Sequence, residues 1–205
     1  MEGGLGDRRP CGGLVYVIGA SGAGKDTLIA WVRARLSATR PDLPVAFAHR
    51  YITRGADAVG ENHVSLRPAE FQTRLDAGLF ALAWDSHGLR YGVGVEIDLW
   101  RAAGLTVVVN GSRAHLPCAS GRYPDIRPVM ISVAPDILRR RLEARGRETA
   151  AEIAARLERT AALRVDHPGL ARVDNSGSIE AGGARLLALI EAVADSSRRL
   201  SVGEA

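Results

Sequence analysis

The chain has 205 residues, 46% of them hydrophobic and 24% charged, with a formal net charge of +4. That length suits one α/β domain with a core of its own and room for a small inserted subdomain. It leaves no room for a second full domain, and no apolar run comes near the roughly 18 residues of a membrane span.

Residues 1–12 carry Gly, Arg and Pro but no apolar h-region, so they are expected to be a disordered tail of a cytoplasmic protein rather than an export signal. Leu14 to Ile18 is apolar and rich in β-branched residues, which predicts a strand buried on both faces. Leu28, Ile29, Val32 and Leu36 repeat at helical spacing just beyond it. Between the two lies Gly19-Ala20-Ser21-Gly22-Ala23-Gly24-Lys25-Asp26-Thr27. The glycines let successive N–H groups turn inward at an anion beside the positive end of the helix, and Lys25 adds a point charge for the outer phosphates. Residues 19–27 therefore read as a phosphate-binding loop for a nucleotide. Asp26 stands where Ser or Thr normally reaches Mg²⁺, with Thr27 one step later, which argues against motors and GTPases. The expectation is Mg²⁺ arriving with ATP and met through water by Asp26 or Thr27, with no direct protein ligand. Asp26 serves equally well as the anion of a helix N-terminus.

The first helix is expected over 25–36, ending before the proline loop 40–44. A strand over 45–48 delivers His49-Arg50-Tyr51-Ile52-Thr53-Arg54 to its end, and 55–63 is a polar, glycine-punctuated loop. A short strand at 64–66 follows, then a helix over 68–77 with Phe71 and Leu75 inward, and a strand over 79–84. Next come a turn and extended piece at 86–92 and a helix over 95–103, with Val95, Leu99 and Ala102 inward and Gly104 closing it. Residues 50–94 read as a small inserted subdomain. A buried strand over 105–109 ends in Asn110-Gly111-Ser112-Arg113, and Pro117 to Gly121 reads as a loop. Cys118 in that loop and Cys11 in the tail lack metal-ligand spacing and are expected to be free thiols.

A third buried strand covers 128–133. The helix after it packs Ile137, Leu138 and Leu142 and crowds Arg139 to Arg141 on its other face. Residues 145–148 interrupt the pattern, and Thr149 with Glu152 restarts it as a capping box with Ile153, Leu157 and Thr160 on one side. The result is a hinged helical lid over about 139–160. A last strand covers 170–173, Asp174 to Gly177 is a loop, and Ile179, Leu186, Ile190 and Val193 mark a terminal helix followed by a tail at 196–205. Gly182 and Gly183 are expected to weaken that helix by about 1 kcal/mol each. Strands alternating with helices give an α/β P-loop fold over 13–195, a parallel sheet with helices on both faces. Ligands then belong at the strands' carboxyl ends. The arginines gathered in 139–164 suit polyphosphate, and no RNP, helix-turn-helix or zinc-finger pattern points to nucleic acid.

Over residues 13–193 the chain resembles the guanylate-kinase-type P-loop kinases. The residues that carry this are Gly19 to Thr27, Ile52-Thr53-Arg54, Gly60-Glu61, Tyr91-Gly92, and Arg145 with Arg156. The resemblance implies that Arg54 and Tyr91 hold the acceptor's phosphate, that Lys25, Arg145 and Arg156 act on the transferring group, and that Asn175 lies near the adenine. The departures bear on the acceptor. Leu82 stands where a guanine-reading Glu is expected and Gly94 where a Ser is, a second arginine after Thr53-Arg54 is missing, His63 replaces a Tyr, and Asn110 replaces an acidic strand end. A pocket that hydrogen-bonds a base cannot lose those groups and keep its selectivity. The segments 80–84, 87–92 and 110–114, with Gly24-Lys25-Asp26-Thr27, are similar to the ribose 1,5-bisphosphate phosphokinase branch. That similarity implies ATP-dependent synthesis of 5-phosphoribosyl 1-diphosphate in phosphonate breakdown.

The substrate-binding set is then Arg54, Glu61, His63, His87, Arg90, Tyr91, Asn110 and Arg113, with Arg90 and Arg113 placed for a second phosphate. The expected partners are ATP and a sugar phosphate, with neither nucleic acid nor membrane. Trp31 and Trp100 read as core, and His49, His115 and His167 as surface or loop residues. Two alternatives stay open: a nucleoside monophosphate kinase with an unusual base pocket, and a non-catalytic guanylate-kinase-like binding module.

Overall fold

Leu14, Val15, Tyr16, Val17 and Ile18 are all fully buried, and they form the heart of β1 (Leu14–Gly19). The structure, a computed structural model, describes residues 11–54, 63–146 and 148–202. After β1 come α1 (Lys25–Thr39), β2 (Val45–Phe47), β3 (Arg50–Ile52), β4 (His63–Ser65), α2 (Pro68–Asp76), β5 (Phe80–Ser86) and β6 (Leu89–Gly94). The chain continues through α3 (Glu96–Ala102), β7 (Thr106–Asn110), α4 (Leu116–Arg122), β8 (Arg127–Ser132), α5 (Pro135–Arg145), α6 (Ala150–Ala162), β9 (Ala171–Asp174) and α7 (Ile179–Val202).

The main sheet has the order β2-β7-β1-β8-β9 and is parallel throughout. Alternation along β1 divides its side chains between two cores. Val15 and Val17 pack with α1, α5 and α7, while Leu14, Tyr16 and Ile18 pack with α3 and α4. The strand order reverses at β1, so a crevice opens beyond its carboxyl end where the glycine-rich loop lies. The fold class expected from the sequence is the one observed.

The inserted region builds a separate mixed sheet, β4-β3-β6-β5. The sequence places 49–54 at the end of the strand over 45–48 and marks no separate strand there, yet 50–52 form β3. Ala48 donates to the Val108 carbonyl at the end of the main sheet, and the chain leaves to pair Tyr51 and Ile52 with Gly92 and Tyr91. The hairpin β5–β6 turns at His87 and Gly88, both left-handed (φ 51 and 72).

Helix α4 replaces the loop expected at 117–121. Pro117 sits in its first turn, where a missing N–H costs nothing, and the helix buries Leu116 and Ala119. In α3 the buried pair is Ile97 and Arg101, while Leu99, expected inward, is 72% exposed and Ala102 is exposed as well. Arg101 takes the inward place because its donors are satisfied there, by Asp125 and by the Gly12 carbonyl at 2.9 Å. Gly12 in turn donates to the Arg101 carbonyl at 2.8 Å, so this end of the expected tail is anchored, and residues 1–10 lie outside the described residues. At the other end α7 runs on to Val202, and Arg198 donates to the Asp42 carbonyl, in place of the tail expected from 196.

Gly182 and Gly183 have a use that propensity does not register. Both are buried; a Cβ on Gly183 would strike the Trp31 indole of α1, and one on Gly182 would come within 2.9 Å of Asn175 Oδ1. Alanine at 183 would gain about 1 kcal/mol of helix propensity, but overpacking against a large ring costs about 1–3 kcal/mol. Gly183→Ala is therefore expected to lower the urea midpoint of unfolding, and a raised midpoint would show that α1 and α7 have slack.

Candidate active site

The loop between β1 and α1 is bent by Gly22 and Gly24, at φ 90 and 84, a region closed to most side chains. Gly24 is also the left-handed residue from which α1 starts. Lys25 Nζ donates to the carbonyls of Gly19 at 3.0 Å and Ala20 at 3.2 Å, so the ammonium lies inside the loop. Behind the loop, buried Asn175 donates from Nδ2 to the Ala23 carbonyl at 2.7 Å, and Arg141 of α5 donates to the Asn175 carbonyl at 2.9 Å. A Cβ at Gly24 would stand 2.6 Å from that same Asn175 amide, so the loop and its brace fit only with glycine there. Asn175, read from the sequence as an adenine neighbour, has its amide committed to this brace.

In front of the loop lies a cavity of about 360 Å³. Five cationic side chains line it, Lys25, Arg50, Arg54, Arg113 and Arg145, against a single carboxylate among the described residues, Asp26. Asp26 is held on three sides of the sequence: it heads α1, accepts from Asn110 Nδ2 at the end of β7, and lies 3.9 Å from Arg50 of β3. Asn110 is buried, and its Oδ1 has no hydrogen-bond partner. The next residues come from the same strand end. Tyr16 is fully buried beneath them, its hydroxyl accepting from the Ser112 amide at 3.0 Å, and its pKa is pushed up to about 12 by that burial. Gly111 lies flat on the Tyr16 ring, where no Cβ would fit. Arg113, so positioned, donates to the Thr160 carbonyl of α6 at 3.2 Å, and burial lowers its pKa.

The helices α5 and α6 bring two arginines to the loop and the cavity. The Thr149 and Glu152 capping box starts α6, and Arg156 on that helix donates to Ser21 of the loop at 3.2 Å while pairing with Glu148 at 2.8 Å. Arg145, the last residue of α5, lines the cavity directly.

From the smaller sheet and its flanks Tyr91 and His87 line the cavity with Arg54, and His63 ring nitrogens lie 3.4 Å from the Arg54 guanidinium. Arg90 does not join them. Neighbouring residues of a strand face opposite ways, and Arg90 lies 4.6 Å above the Phe71 ring, donates to Gln72 at 2.7 Å and pairs with Asp85. The expected second-phosphate role for Arg90 is thus at odds with its position. Glu61 lies outside the described residues. The sequence reading missed Arg50, Trp84 and His115. Arg50 is four places before Arg54, on the same face of an extended chain, a spacing that would have found it. Trp84 lines the cavity, and His115, expected at the surface, stacks on it at 5.4 Å, where burial lowers its pKa.

A loop, a lid and a second small sheet around a cationic cavity describe many phosphotransferases. Sequence comparison narrows them. The chain is 55% identical over 186 residues to a ribose 1,5-bisphosphate phosphokinase PhnN of Desulfomicrobium baculatum, covering 91% of this chain and 98% of that one. It is 55% identical over 184 residues to the enzyme of the same name from Burkholderia pseudomallei, covering 89% and 97%. The chain belongs to the ribose 1,5-bisphosphate phosphokinase family. No protein-family model matches it. Among solved structures, guanylate kinase from Anaplasma phagocytophilum superposes with a TM-score of 0.64 at 14% identity, over 91% of this chain and 88% of the other. That likeness establishes the fold of this phosphokinase family member and nothing about its acceptor.

Proposed function

We infer that the chain transfers the γ-phosphoryl group of ATP to ribose 1,5-bisphosphate, giving ADP and 5-phosphoribosyl 1-diphosphate, in phosphonate catabolism. The observation that carries this is the 55% identity to a ribose 1,5-bisphosphate phosphokinase over 186 residues, and the cavity agrees with it: five cationic side chains line it against one carboxylate among the described residues. Such a site suits two polyanions brought end to end.

The acceptor oxygen belongs to a phosphate whose second pKa is about 6, so it is ionised at neutral pH and needs no general base. The chain's work is accordingly to position charges. The loop amides and Lys25 hold the β- and γ-phosphates of ATP, Arg50, Arg54 and Tyr91 hold the acceptor phosphate, and Arg113 lies to one side for the second phosphate. Arg145 and Arg156 close over the transferring group and keep water from intercepting it. Asp26 and Thr27 both line the cavity, and one carboxylate with one hydroxyl fits Mg²⁺, which keeps most of its waters and binds through substrate phosphates. Bound there with ATP, the ion would offset phosphate charge. A cytoplasmic location follows from the need for ATP. No helix among the described residues is long and apolar enough to cross a membrane.

The test is ADP release with ribose 1,5-bisphosphate, GMP, AMP and gluconate side by side. Turnover is expected with the sugar bisphosphate; turnover of GMP alone would overturn the assignment.

A further inference from the structure

Taking the acceptor to be a phosphorylated sugar, we propose that Trp84 is the residue that selects it: the indole fills the room a nucleobase would need. Trp84 on β5 is paired across the sheet with Tyr91 on β6, and their rings are parallel within 5° at a centroid distance of 5.6 Å. The His115 ring lies 5.4 Å from the indole at 26°, and the Arg50 guanidinium stands 5.1 Å over Tyr91. Arg50, Tyr91, Trp84 and His115, from β3, β6, β5 and the segment before α4, are thus linked by successive ring contacts, and the first three of them line the cavity. An indole with a bare face would be a platform for a base. Here the ring partners of Trp84 are the protein's own.

Two further observations agree. Leu82 shares the inward face of β5 with Trp84 and is 4% exposed, so the indole is backed by core and cannot swing away cheaply. Gly94, beyond Tyr91, opens no space either, because the Glu96 carboxylate of α3 occupies the place where a Cβ would go. The cavity of about 360 Å³ is at the small end of the roughly 300–1,000 Å³ usual for ligand pockets. A nucleobase pressed against stacked rings would also bury donors and acceptors that this wall does not answer, a cost that a ribose ring held by its phosphates avoids.

The experiment measures AMP and GMP binding by calorimetry, with a non-hydrolysable ATP analogue in excess to keep the donor site filled. Trp84→Ala is expected to bind the nucleotides at least about tenfold more tightly than the unaltered protein, with Trp84→Phe between the two, and to lose about tenfold in kcat/KM for ribose 1,5-bisphosphate. Unchanged nucleotide affinity in the variants would overturn the proposal, as would a loss of turnover for every acceptor in equal proportion, the mark of a purely structural role. If Trp84→Ala does not fold, the Phe variant decides by the same comparison. Failure of the unaltered protein to phosphorylate the sugar bisphosphate is read separately and counts against the acceptor assignment.

Discussion

Replacing Lys25 with alanine is expected to lower kcat by about two to three orders of magnitude, the loss that follows removal of one preorganised charge contact to a transition state. The side chain starts at the first residue of α1 and reaches back over the loop to within 3.0 Å of the Gly19 carbonyl. Of its two carbonyl partners, that of Ala20 also accepts from the Ala23 amide at 3.1 Å and keeps this bond when the ammonium is removed. Alanine is also the best helix former for that position. The thermal unfolding midpoint is therefore expected to change little while ADP release collapses, and the two measurements together separate catalysis from folding. Turnover within tenfold of the unaltered protein would mean that the loop is not the donor site. Arginine at 25 is expected to restore little, because its longer planar head does not fit between the two carbonyls that Nζ bonds.

The donor half of the site was legible because its parts are consecutive. Strand, glycines, lysine and helix follow one another over Leu14 to Leu36, so spacing alone placed them. The proposed acceptor half draws on β3, β5, β6 and the end of β7, and there spacing misled. Arg90 and Tyr91 are adjacent in sequence and both belong to the substrate-binding set expected from it, yet pleating sends one towards Phe71 and the other into the cavity. Arg50 went unnoticed because no strand is marked at 50–52 in the sequence pattern, which concealed its alternation with Arg54. Asn175 looked like a turn residue or a ligand contact, and nothing local could tell that its amide reaches a carbonyl 152 positions away. The same limit applies to packing. Arg101 has the composition of a solvated helix face, and only its partners from Gly12 and Asp125 explain why it is buried and Leu99 is not.

Arg50 offers the second large effect, and Arg90 is its control. The Arg50 side chain is 12% exposed, 3.9 Å from Asp26 and stacked over Tyr91, so its charge is directed into the cavity from the acceptor side. A charge-assisted hydrogen bond of this kind is worth about 1.5–3 kcal/mol. Arg50→Ala is thus expected to cut kcat/KM for the acceptor by about ten- to a hundredfold, chiefly through KM. Asp26 would keep its bond from Asn110, so the KM for ATP should move much less. Lysine at 50 preserves the charge but not the planar stack on Tyr91, and should recover part of the loss. Arg90→Ala removes an equal charge from the opposite face of the same small sheet, where Gln72 and Asp85 are its partners, and acceptor kcat/KM should stay within about twofold. Equal losses from both variants would mean that the cavity responds to overall charge rather than to placed contacts. An Arg50→Ala protein with normal KM and a lowered unfolding midpoint would make Arg50 a brace for Tyr91 and leave the acceptor phosphate to Arg54 and Arg113.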